Sequence, residues 1–155
     1  MKRFKWPLQR LLDVTLQREL ALRAELFALS REIARLRQRI ASLRAALRAL
    51  LAELARRSIE ERIPQQEVFM RSAGTDERKI ARLREQLHDK ETLRSDKTRQ
   101  FLKVKASRET LERLREEARL RHRKEMERAE QKQLDESAGV SFARRTLATQ
   151  VKGVS

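Results

Sequence analysis

The chain has 155 residues with a formal charge of +15, three glycines, two prolines and no cysteine. The missing cysteine excludes disulfide, thiolate and zinc-thiolate chemistry and suits a reducing compartment. So few glycines and prolines argue against a many-turned globular domain, and aromatic residues at 4% argue against a large packed core or a stacking platform.

Leu, Ala, Arg, Glu and Lys dominate, the residues that lose least on entering a helix. Charged residues make up 39%, a level also met in disordered chains, but here the apolar residues are regularly spaced. Residues 1–63 hold 15 Lys/Arg against 7 Asp/Glu, residues 64–137 hold 20 against 16, and residues 138–155 add three cations and no acid. Such a chain associates quickly with anionic partners, whether acidic protein, nucleic acid or lipid, and the sign alone does not choose among them. No stretch approaches the roughly 20 apolar residues of a membrane span. Charges interrupt the N-terminal segment before the apolar core of a signal peptide builds up, so a cytoplasmic setting is expected.

The first predicted helix runs from about residue 7 to about 60. Leu22, Leu26, Leu29, Ile33, Leu36, Ile40, Leu43, Leu47, Leu50 and Leu54 are separated alternately by four and three residues. That spacing keeps one apolar seam turned toward a partner helix in a left-handed supercoil. Leu8, Leu11, Leu12, Leu16 and Leu20 extend the helix backwards in a looser register, and Pro7 is tolerable in a first turn.

A tip is expected over about 61–75. Pro64 disfavours helical geometry at Ile63, and Ser72-Ala73-Gly74-Thr75-Asp76 offers a stop at Gly74 and caps at Thr75 or Asp76. The second helix is expected over about 76–137. Ile80, Leu83, Leu87, Phe101, Val104, Leu111, Leu114, Ala118, Met126, Ala129 and Leu134 mark its apolar face. Lys90, Arg94 and Lys97 fall where a strict heptad wants apolar side chains, which predicts a slip of the seam or a locally weak stretch. After Ala138 periodicity ceases, and residues 139–155 read as a flexible, disordered basic tail.

The expected fold is all-α, a long antiparallel two-helix coiled-coil hairpin with both termini at one end. Each helix spans roughly 80–90 Å at the α-helical rise. Folding about residue 68 sets Leu8 level with Arg128 and Leu54 with Arg82. A dimer of hairpins in a four-helix arrangement stays open beside a monomer.

Nothing catalytic assembles in the sequence. His88 and His122 stand 34 residues apart on one helix, and each reads as a surface or seam-edge residue. No metal-ligand spacing, phosphate-binding glycine loop or nucleophile motif is present, so no catalytic residue, cofactor or metal is expected. A basic-region zipper needs a basic segment leading into the heptads, whereas residues 1–21 are apolar and include Asp13 and Glu19. Specific nucleic-acid binding and membrane insertion are therefore not expected.

Two segments carry a resemblance. One is Phe4-Lys5-Trp6-Pro7-Leu8-Gln9-Arg10-Leu11-Leu12-Asp13, the other Glu130-Gln131-Lys132-Gln133-Leu134-Asp135-Glu136-Ser137-Ala138. Together they resemble the FliJ family of flagellar type III export proteins, whose members typically open with Phe-x-x-Leu-Gln-x-Leu-Leu and close with Glu-Gln-Lys-x-Leu-Asp-Glu. The chain departs from the pattern at Gly139-Val140-Ser141-Phe142, where the family more often continues helical.

The resemblance implies a non-catalytic stalk similar to that in the gamma subunit of rotary F-type ATPases. It implies that the stalk enters the pore of the hexameric export ATPase, FliI, contacts the export-gate protein FlhA and exchanges with export chaperones, peripheral to the inner membrane. On that reading Phe4, Leu8, Leu11, Leu12, Gln131, Lys132, Leu134, Asp135 and Glu136 face the ATPase. Leu43, Leu50, Ile80, Leu83 and Leu87 lie where the gate is met, with neighbouring arginines available to an acidic surface. Alternatives are the counterpart stalk of a virulence-type injectisome and a basic scaffold or nucleic-acid-binding coiled coil.

Overall fold

The computed structural model describes residues 3–152, with side chains to residue 148. Two helices fill it, α1 (Gln9–Arg56) and α2 (Ile59–Lys152). Within residues 15–106 they pack against each other as an antiparallel hairpin, and there is no strand among the described residues. Contacts divide the chain into two units, residues 15–106 and the described parts of 1–14 with 107–155.

In the unit of residues 15–106, every seam leucine and isoleucine of α1 named above except Leu50 is buried or half-buried. Ile33, 2% exposed, is the most deeply packed. Ile40, Ile80 and Leu83 form a core cluster, against which Leu36, Leu43, Leu47 and Leu87 pack. Glu32 pairs with Lys90 and Glu25 with Lys97, each at 2.6 Å, so α1 positions fall as α2 positions rise. The seam of α2 does not slip. Ile80, Leu83, Leu87, Lys90, Arg94, Lys97, Phe101 and Val104 keep the alternation of three and four residues, and all are buried or half-buried. The three cations are half-buried, as long side chains with an apolar stem and a charged head can be at a seam, and Glu25 and Glu32 receive the ammonium groups of Lys97 and Lys90 at the seam edge.

The register of α1 is also stricter than expected. Counting back from Leu22 in the same steps reaches Glu19 and Thr15, and the structure leaves Leu20 exposed. Glu19 is only 5% exposed. A guanidinium nitrogen of Arg23 lies 3.4 Å from its carboxylate.

The turn lies upstream of the expected tip, at Arg57 and Ser58. Ser58, with Glu61 three residues on, has the sequence of a capping box. The Arg62 amide donates to the Ser58 carbonyl at 3.1 Å, and Glu60 and Glu61 place negative charge in the first turn of α2. Arg62 also donates through its guanidinium to the carbonyls of Ala55 and Arg57, satisfying acceptors that the end of α1 leaves open.

Pro64 is the sixth residue of α2 and lies within the helix, where it forgoes the bond to the Glu60 carbonyl. Gly74 is helical too, with no positive φ among the described residues. Because α2 begins before both breakers, the fold point moves. Arg37 meets Glu91 at 2.6 Å, not Arg99 as folding about residue 68 requires.

In the other unit, Leu12 is 0% exposed and Leu111 is buried. Arg115, Ala118 and His122 continue the three-and-four spacing of α2, all half-buried, whereas Leu114, Ala129 and Leu134 of the expected apolar face are exposed. Helical bonding continues past Ala138 to Lys152, and Ser141 and Thr146 donate back to the carbonyls of Ser137 and Phe142. Every side chain over residues 127–148 is exposed. The last three residues assigned to the tail lie outside the described ones.

Candidate partner-docking surfaces

Before α1, the Gln9 amide donates to the Trp6 carbonyl at 3.2 Å and the Leu12 amide to the Leu8 carbonyl at 3.1 Å. Pro7, which has no amide hydrogen to donate, fits that opening turn. The turn carries Phe4 back onto α2. Its ring stacks on His122 with centroids 5.5 Å apart, and the Arg119 guanidinium lies 6.0 Å from the ring centroid. Of the residues assigned to the ATPase-facing end, Leu12 is enclosed and Phe4 half-buried, whereas Leu8 and Leu11 are exposed.

Gln131, Lys132, Leu134, Asp135 and Glu136 are all exposed. They lie in the same unit as Phe4 but start nine residues past His122, about 14 Å along the helix. The side chains there bond within α2: Gln131 donates to Asp135 at 2.9 Å, and Lys132 lies 3.9 Å from Glu136. Leu134, Val140, Phe142 and Leu147 are exposed along this stretch. A shallow groove over Leu134, Ala138, Ser141, Phe142 and Arg145 lies on one side of it. Exposed apolar groups of this size on a single helix end suit a partner surface better than a reaction.

The five residues assigned to the gate are mostly seam residues. Ile80 and Leu83 are buried, Leu43 and Leu87 are half-buried against them, and only Leu50 is 40% exposed. Whatever meets this part of the hairpin touches the outer arginines and alanines before it touches four of these five. A groove at the turn runs over Leu50, Leu54, Val68 and Phe69. It was not legible beforehand, because the turn was expected farther along the chain.

Among the described residues, no three His, Asp or Glu side chains converge as a metal site would require, and no helix is long and apolar enough to cross a membrane. No curated protein and no solved structure matches the chain. The sequence model of the family described as "Flagellar FliJ protein" matches residues 4–147. With nearly its whole length so matched, and with a paired-helix fold bearing an exposed terminal segment, the chain belongs to the FliJ family and is a component of the flagellar export apparatus.

Proposed function

We propose that the protein is the coiled-coil stalk of the flagellar export ATPase. Its terminal unit docks in the hexameric ATPase, FliI, and promotes ring assembly and activity. The part of the hairpin nearer the turn reaches the export gate, FlhA, and the protein exchanges with export chaperones on the cytoplasmic side of the inner membrane. The observation that carries this reading is the uncovered stretch of residues 127–148 in the unit that also holds Phe4, Leu8 and Leu11. A helix with Leu134 and Phe142 exposed along one groove is covered by an apolar partner surface, and a ring lumen supplies one. At the gate-proximal level, Leu50 and the arginines around it make the contact, since Ile80 and Leu83 are occupied within the seam.

The test is ATP hydrolysis by the cognate ATPase with the full chain and with a chain ending at residue 129. Ring formation is scored by electron microscopy and helicity by circular dichroism. The full chain stimulates hydrolysis and ring formation, and the shortened chain keeps its paired helices but not the stimulation. Undiminished stimulation by a helical, shortened chain places the ATPase contact elsewhere.

A further inference from the structure

Between Thr15 and Arg35, α1 turns its carboxylates toward α2. Glu19 is buried at a seam position. Glu25 and Glu32 are bound to Lys97 and Lys90, each at 2.6 Å. The opposite face is left apolar and cationic. Leu20, Ala24 and Phe27 follow one another at i, i+4 and i+7, and all three are exposed, Leu20 by 59% and Phe27 by 66%. Exposed Ala21 and Ala28 widen the strip without raising it. Arg31 lies over the Phe27 ring at 5.9 Å and exposed Arg35 follows it one turn on, so cations stand along the strip, whereas the Arg23 guanidinium turns to Phe101 of α2 and to Glu19. Between Leu20 and Arg35 the acids flanking this face are Glu25 and Glu32, one turn beyond Ala21 and Ala28, and each is held by a lysine of α2.

We propose that this face of α1 is a docking track for an acidic amphipathic helix of a partner protein. The i, i+4, i+7 spacing is the one into which the apolar ridge of another helix packs. The alanines let its backbone approach closely, while Leu20 and Phe27 supply the large apolar contacts. The bordering arginines pair with carboxylates flanking the partner's apolar ridge, as complementary interface charges do. A second copy of the chain fits badly, because its own strip offers Arg31, Arg35 and lysine-bound glutamates and no free carboxylates. A nucleic-acid backbone answers the arginines but leaves Leu20 and Phe27 without a role. The track shares no residue with the surfaces assigned to the ATPase or the gate, so it stands or falls separately from the proposed function.

The experiment titrates the full-length chain into a fluorescein-labelled synthetic peptide of three heptads, with leucine on one face and glutamate on the others, read by anisotropy at physiological salt. A twin with lysine for every glutamate is the control. The glutamate peptide binds and the lysine twin does not. Leu20→Ser, Phe27→Ser and Arg31→Glu each weaken binding by about tenfold or more, while Leu102→Ser, an exposed position on α2, leaves it unchanged. Arg31→Glu alters no apolar group, so the test survives any loss of helicity in the serine variants. Three results overturn the proposal: no binding of the glutamate peptide, binding insensitive to Phe27→Ser and Arg31→Glu, or tighter Phe27-dependent binding to phosphatidylglycerol vesicles or duplex DNA.

Discussion

Lys97 occupies a seam position of α2, yet its ammonium nitrogen lies 2.6 Å from a carboxylate oxygen of Glu25 on α1. The lysine side chain is 28% exposed and the glutamate 49%, so water screens much of the attraction and the pair contributes modestly. Its larger effect is on alignment: Lys97 with Glu25 and Lys90 with Glu32 are both satisfied in this register, and a shift along the seam would part both pairs.

Charge reversal tests that role. Lys97→Glu places two carboxylates together and lowers stability by about 1 kcal/mol, and Glu25→Lys in the same chain restores most of the loss, with a coupling of about 0.5–1 kcal/mol at low salt. Lys97→Leu instead raises stability by about 1 kcal/mol or more, since it extends the apolar seam. Urea unfolding of the four charge variants in a double-mutant cycle measures the coupling. A coupling of zero means that the lysine stem alone holds the position.

Two helix breakers that the structure places inside α2 make a second test. Pro64→Ala returns the hydrogen bond to Glu60 and is expected to stabilise the chain by about 1–3 kcal/mol. Gly74→Ala is expected to add about 0.5–1 kcal/mol. A methyl group at Gly74 meets only the end of the Arg78 side chain, at 3.9 Å. Thermal unfolding followed by circular dichroism reads both. A lower melting temperature for either variant means that the residue works as a turn element after all.

Burial separates two large apolar residues six positions apart on α1. Ile33→Ala removes a side chain that is 2% exposed and should cost about 3 kcal/mol through lost transfer energy and an unfilled gap. Phe27→Ala removes one that faces solvent and should change stability by about 0.5 kcal/mol or less. Denaturant midpoints decide it, and equal losses mean that the outer face of α1 is covered in solution.

Much of the architecture was legible in advance because helices and heptads are written in local spacing. The leucines and isoleucines of residues 22–54 recur at the period that keeps them on one side of a helix, so they mark a seam whatever covers them. The opening and closing motifs, each short, sufficed to identify the family that matches residues 4–147. The turn was not legible from Pro64 and Gly74, since a breaker only raises the cost of a helix and neighbouring contacts can outweigh that cost. The local signal of the turn is the capping sequence from Ser58 to Glu61.

The sequence by itself therefore determined that two basic helices pair along an apolar seam, because period and composition act residue by residue. Only the tertiary structure decided which residues stand opposite each other. It set Arg37 beside Glu91, drew Lys90 and Lys97 into the seam, enclosed Glu19 and left Leu20 and Phe27 outside. Register is a property of two helices together, and the pairing of charges across them appears in neither helix read alone.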